Sequence, residues 1–195
     1  VPGSPERFLD LIRDQVKLEE QAAKSDRLEV SHEGNFYNVG VIRVPSFYLD
    51  YAARTRGEED YTSTTRDVAR LVDELENQGI DGLVIDLRQN GGGHLSEATE
   101  LSGLFIERGP VVQLRQTRGN IEILDDPTPG VVYDGPLAVL VDRYSASASE
   151  IFAAAIQDYE RGVVIGQQTF GKGSVQNLFN LDQFMRAPGY GQLTL

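Results

Sequence analysis

The chain has 195 residues, enough for one domain with a proper hydrophobic core, and carries 18 Lys and Arg against 30 Asp and Glu, a net charge of −12. Such acidity argues against a nucleic-acid backbone or an anionic membrane as the main partner, and the absence of cysteine removes disulfides, Cys-ligated zinc and a thiol nucleophile. With His32 and His94 the only histidines, far apart and without ligand spacing, neither a histidine metal site nor a Ser-His-Asp triad is expected unless His94 supplies the base.

Residues 1–30 are charged and ambiguous. Phe8, Leu11 and Ile12 have helical spacing, whereas Val16 and Leu18 alternate like a strand. Residues 38–44 (NVGVIRV) read as a strand ended by Pro45, and residues 50–62 as a long polar loop. Val68, Leu71, Val72 and Leu75 form one apolar helix face, with Gly79 placed as its terminating glycine. Residues 80–87 (IDGLVIDL) read as a strand buried on both faces of a parallel sheet. Beyond Asn90-Gly91-Gly92-Gly93 comes a second helix with Leu95, Ala98, Leu101, Leu104 and Phe105 inward. Residues 111–117 and 121–124 suggest a hairpin around Arg118-Gly119-Asn120, and residues 137–141 (LAVLV) another buried strand. A third helix from Ala148 to about Tyr159 leads to a strand over 162–165 and the loop carrying Lys172. This alternation implies an α/β domain with a largely parallel sheet. No apolar run approaches the roughly 20 residues of a membrane span. The opening Val-Pro-Gly-Ser-Pro and the closing Gln-Leu-Thr-Leu, which reads like the start of a strand, suggest a piece of something longer.

Ligands collect beyond the carboxyl ends of strands in such sheets, and three junctions lie there. In Tyr144-Ser145-Ala146-Ser147-Ala148-Ser149-Glu150 a serine hydroxyl could stand at a helix N-terminus, whose free N–H groups suit a developing oxyanion. The pattern Ser147-x-x-Glu150 is also a capping box, and spacing alone does not choose among Ser145, Ser147 and Ser149. In Thr169-Phe170-Gly171-Lys172-Gly173 a lysine between glycines is expected to be enclosed closely enough to serve as a neutral base. A phosphate loop is the competing reading, weakened because Gly173 stands where Ser or Thr would bind Mg²⁺. The glycines of Asn90-Gly91-Gly92-Gly93-His94 can present N–H groups to a carbonyl oxygen or simply turn the chain into the next helix, where His94 reads as a polar starting residue. Together the three supply the parts for acyl transfer.

The run from Asp142 to Ile151 (DRYSASASEI), then Gln157-Asp158, Gly166 and Thr169-Phe170-Gly171-Lys172-Gly173-Ser174-Val175-Gln176, resembles the signature of the tail-specific, or C-terminal processing, serine proteases. Ile85-Asp86-Leu87-Arg88-Gln89-Asn90-Gly91-Gly92-Gly93 and Leu101-Ser102-Gly103-Leu104-Phe105 match upstream, so the resemblance spans at least residues 38–176 and is nearest to the large periplasmic branch of Gram-negative bacteria. It implies an α/β fold with the spiral parallel-sheet core of the Clp protease and crotonase type, and no cofactor. Ser147 would be the nucleophile, Lys172 the general base and Gln176 the residue that orients the lysine. The N–H of Ala148 with that of Gly91 or Gly92 would form the oxyanion hole. Asp158 would play a supporting role, since a carboxylate beside Lys172 would oppose its use as a base.

Family members carry a PDZ domain ahead of this core, so residues 1–35 are expected to be a remnant or linker containing its last strand. Residues 36–195 would be the catalytic core, truncated at its C-terminal end. The implied substrates are proteins or peptides with accessible C-terminal tails, the implied location is the periplasm, and an adaptor protein is a further implied partner. Nucleic acid is not. Two other readings share the fold: a non-catalytic binding or scaffold module, and crotonase-like acyl-CoA chemistry, which rests on fold alone.

Overall fold

The computed structural model describes residues 22–116, 119–128, 130–176, 178–182 and 189–194. Its first two strands, β1 (Lys24–His32) and β2 (Asn35–Arg43), pair antiparallel through Glu33 and Gly34. Both turn residues have positive φ (51° and 81°), the conformation that matches a two-residue hairpin to the twist of its strands. β1 therefore joins the main sheet, although residues 1–35 read from the sequence as a segment ahead of the core. The helix and strand signals over 1–21 lie outside the described residues.

The region expected to be loop over 50–62 contains a short helix, α1 (Tyr51–Thr55). Asp50 caps it by accepting from the Ala53 N–H at 2.9 Å, a local signal hidden in a polar stretch. α2 (Thr64–Asn77) follows Ser63 and buries Val68, Leu71, Val72 and Leu75 as its periodicity implies, and Gly79 takes the positive φ (73°) that ends the helix. β3 (Gly82–Asp86), α3 (Leu95–Gly103), the hairpin β4 (Pro110–Arg115) and β5 (Ile121–Asp125), β6 (Leu137–Val141), α4 (Ala148–Asp158) and β7 (Val163–Gly166) complete the core. β8 (Leu178–Asn180) and β9 (Gln192–Thr194) form a separate antiparallel pair. Of the turn expected between β4 and β5, Thr117 and Arg118 lie outside the described residues.

The main sheet has the order β1-β2-β3-β6-β7, parallel from β2 onward. The fold is thus α/β with a mostly parallel sheet. Ile42, Leu83, Ile85, Leu137, Val139 and Val141 point to the helix-covered face. There they meet Val72 and Leu75 of α2, Leu101 of α3 and Phe152 and Ile156 of α4 in one cluster. Phe105 and Phe152 meet edge to face with centroids 5.8 Å apart.

The opposite face corrects the expectation that β3 and β6 are buried on both sides. Val84, Ala138 and Leu140 are only half-buried, and Val163 and Ile165 on β7 are exposed. An apolar run shows what a strand could bury; among the described residues the helices cover one face fully.

Candidate active site

The turn from β6 into α4 carries three serines with different fates. Ser145 is fully buried, its hydroxyl donating to the Leu87 carbonyl at 2.8 Å and accepting from the Asp142 N–H at 2.9 Å. Ser149 is equally buried and donates to the Asn90 carbonyl at 3.0 Å. Ser147 is half-buried and has φ 57° and ψ −113°, a conformation that costs a non-glycine residue on the order of 1–3 kcal/mol. A capping box joins it to Glu150. Its firm arm is the Ser147 N–H donating to Glu150 Oε2 at 2.8 Å, whereas the Ser147 hydroxyl makes no cap hydrogen bond. Beyond that box, the hydroxyl donates to no acceptor among the described residues.

The glycine loop is pressed against this turn. A Cβ on Gly92 (φ 98°) would lie 2.7 Å from the Ala146 carbonyl oxygen and 2.9 Å from Ser147 Cβ. One on Gly93 (φ 152°) would collide with the Phe47 carbonyl, so only glycine fits either place. Phe47 brackets the loop, its N–H donating to the Gly92 carbonyl (3.0 Å) and its carbonyl accepting from the His94 N–H (2.8 Å).

Asn90, fully buried and given no role by the sequence reading, is the hub. Its Nδ2 donates to the Val44 carbonyl, its Oδ1 accepts from the Gly92 N–H at 2.8 Å, and its carbonyl receives the Ala146 N–H and the Ser149 hydroxyl. The Gly92 N–H is therefore occupied. Among the described residues nothing accepts from the N–H groups of Ala148, Gly91 or Gly93.

Two further carboxylates hold the loop's flanks. Asp86, at the end of β3, takes a two-pronged grip from Arg88 (2.9 and 2.8 Å). Burial pushes its carboxyl up, but the Arg88 bonds and the nearby Arg43 outweigh this and hold it below the usual range. Glu97, fully buried in α3, accepts from the Ser63 and Thr65 hydroxyls and the Thr65 N–H, anchoring α3 to α2. There burial prevails and raises the carboxyl.

Lys172 and Gln176 share with Ser147 a cavity of about 280 Å³, whose other walls include Gly93, His94, Leu95 and Ala148. Lys172 is exposed, not enclosed as its glycine neighbours suggest. Glycines let backbone approach but bring no side chains to cover an ammonium. No hydrogen bond joins Ser147 Oγ to Lys172 Nζ among the described residues. What ties the two segments together is one backbone bond, the Phe170 N–H donating to the Ser145 carbonyl at 3.0 Å, and the side chain of Glu150. Its carboxylate accepts from the Thr169 hydroxyl (2.7 Å) and the N–H groups of Gly171 (2.6 Å) and Lys172 (2.9 Å), besides that of Ser147. Burial opposes ionisation of Glu150, yet these four donors outweigh it and hold the carboxyl below its usual range.

Asp158 stands at the far end of α4, exposed, on a second cavity that Ser147 and Lys172 also line. Among the described residues it forms no ion pair with Lys172. His94 caps α3 without a side-chain hydrogen bond and lines the smaller cavity.

Residues 38–192 match the model of peptidase family S41. The chain is 47% identical to the tail-specific protease of Haemophilus influenzae over 187 residues, covering 93% of this chain and 24% of that protein. It is 32% identical to the chloroplastic carboxyl-terminal-processing peptidase 2 of Arabidopsis thaliana, covering 92% of this chain and 32% of the relative. Among solved structures, the photosystem II D1 C-terminal processing protease superposes with a TM-score of 0.68 at 28% identity, covering 91% of this chain and 44% of that one. The chain spans only a quarter to a third of the length of these two curated relatives.

Proposed function

The chain belongs to peptidase family S41, and on that premise we propose that it is the catalytic core of a serine endopeptidase working through Ser147 and Lys172. One observation carries the reading. Of three adjacent serines, Ser147 alone keeps its hydroxyl out of the core's hydrogen bonds, at the N-terminus of α4, on a cavity it shares with Lys172 and Gln176.

In this reading the neutral Lys172 amine takes the proton from Ser147 Oγ as the oxygen attacks a peptide carbonyl, with Gln176 orienting the amine. The oxyanion is received by the Ala148 N–H and one N–H of the glycine loop, from Gly91 or Gly93 because that of Gly92 is engaged with Asn90. Lys172 returns the proton to the leaving amine, then activates the water that releases the acyl group from Ser147. Asp158 supports the end of α4 without touching the reacting atoms. Because the site is open in this structure, Lys172 closes on Ser147 when substrate fills the cavity.

Substrates recognised through their C-terminal tails, an adaptor partner and a periplasmic location are the finer part of the proposal. They rest on similarity to proteins several times longer.

The test is made in the full-length protein. Ser147→Ala and Lys172→Ala each reduce peptide-bond cleavage by about 10⁴-fold or more, and the double variant loses no more than either alone. Normal turnover by either single variant overturns the assignment and favours a binding module on the same fold.

A further inference from the structure

Beyond Ser147, Lys172 and Gln176, the cavity of about 280 Å³ has an apolar wall that includes Leu95 and Ile151. It also has two polar side chains that the reaction does not use, His94 and Ser174. None of the described Asp or Glu residues lines it, and Lys172 and His94 are its only ionisable side chains among the described residues.

The backbone of His94 is fixed on both sides. Its N–H donates to the Phe47 carbonyl at 2.8 Å, its carbonyl accepts from the Ala98 N–H at 3.3 Å, and Gly93 before it forms a parallel bridge with Phe47. The side chain, by contrast, is exposed and makes no hydrogen bond or ion pair among the described residues. At the same place on the two preceding helices a side-chain oxygen does the capping. Asp50 accepts from the Ala53 N–H at 2.9 Å on α1, and Ser63 from the Arg66 N–H at 3.4 Å on α2. Imidazole is a poor substitute in that role. His94 therefore serves neither the helix end nor the core, and its side chain is left to the cavity. Ser174 lies on the exposed segment that bears Lys172, whereas discrimination between substrates needs a group held at a fixed place.

We propose that His94 is a specificity-determining residue, which hydrogen-bonds an uncharged polar side chain of the substrate (asparagine, glutamine or threonine) entering this cavity. This rests on the peptidase reading above and specifies which side chain that site prefers. A neutral imidazole offers one donor and one acceptor, matching a carboxamide or hydroxyl tip, while Leu95 and Ile151 cover the apolar stem. Charged tips suit the cavity poorly. A lysine or arginine finds no carboxylate among the described lining residues and meets Lys172 instead. A glutamate or aspartate would hold Lys172 protonated and work against its use as a base. An aliphatic tip of the same shape fits the walls but forgoes the bond to His94. Because the imidazole is exposed, water takes up the vacant partner, and the preference is modest, about 3- to 10-fold.

The test uses the full-length protein and a series of unstructured peptides. Each carries asparagine or leucine, or threonine or valine, at one position at a time around the scissile bond. The members of each pair are nearly equal in shape, so the ratio of their kcat/KM values reports the hydrogen bond and not the fit. His94→Leu lowers the asparagine-to-leucine and threonine-to-valine ratios by about 3- to 10-fold at a single position. His94→Gln, which keeps a donor and an acceptor, retains most of the preference. Since His94 is exposed and caps nothing, both variants should keep the melting temperature of the parent. Ratios that move at no position, or equally at several, overturn the proposal and leave the peptidase reading standing. Labelling of Ser147 by a small fluorophosphonate, which presents no peptide side chain, reports separately on the nucleophile. Labelling lost in both variants would place His94 in the proton path and overturn the proposal as well. If the parent cleaves no peptide of the series the proposal falls, and the peptidase reading falls with it where Ser147 is also unlabelled.

Discussion

Ser147 and Lys172 face one cavity but are held in different ways. The turn bearing Ser147 is fastened on all sides: Ser145 to Leu87, Ala146 and Ser149 to Asn90, and Gly92 packed beneath. Residues 167–176, which bear Lys172, form no helix or strand and are mostly exposed; backbone bonds from Gln167 to Val141 and from Phe170 to Ser145 fasten their start, and beyond Phe170 the Glu150 carboxylate joins Gly171 and Lys172 to α4. The nucleophile is thus preorganised by the core, where a strained φ can be sustained by its surroundings, whereas the base is placed by a tether. Geometry on the first side should be unforgiving and on the second adjustable.

The comparison breaks most visibly at Gly92. Gly92→Ala forces a Cβ against the Ala146 carbonyl and Ser147 at a positive φ, so proteolysis should fall by about 100-fold or more and the melting temperature by a few degrees as well. Activity close to that of the parent would show that the Ser147 turn is not rigid.

Glu150→Ala sharpens the contrast from the other side. Cutting the tether misplaces Lys172 and also frees the Ser147 N–H, while the apolar packing of the core is untouched, and kcat should drop by about 10- to 100-fold with KM nearly constant. Fluorophosphonate labelling of Ser147, which also needs the base, should slow in parallel. Glu150→Gln keeps part of the acceptor set and should recover part of the loss. Equal losses in kcat and in thermal stability would instead make Glu150 a general structural residue.

The smallest effect concerns acid. The Glu150 carboxyl is held below its usual range when folded, so its contribution is fully present above the ordinary carboxylate value of about 4.3 and is lost as pH falls through the lower folded value. Hydrogen exchange at the Gly171 and Lys172 amides should stay slow from pH 7 to about pH 5 and quicken only at pH values below the ordinary carboxylate range. Loss of protection between pH 7 and 5 would mean that another group holds the loop.

Much of the fold was legible because its signals are local. Val68, Leu71, Val72 and Leu75 mark α2 by spacing, and Gly79 marks its end. The β1–β2 hairpin was missed because β1 (KSDRLEVSH) is charged and largely exposed, an edge strand without an apolar face to show. α1 was missed because five residues carry too little periodicity, leaving only the Asp50 cap as a cue.

Sequence by itself determined the order of elements, the three junctions beyond the strand ends, and a motif string long enough to point to the peptidase family. Tertiary structure decided which donors and acceptors remain uncommitted. Ser145 is used by a carbonyl 58 residues away and Ser149 by one 59 residues away, which leaves Ser147. The Gly92 N–H is taken by Asn90, and the Glu150 carboxylate reaches across to Gly171 and Lys172. Periodicity and spacing report on neighbours along the chain, whereas the availability of a hydroxyl or an N–H depends on every polar group that folding brings within hydrogen-bond reach.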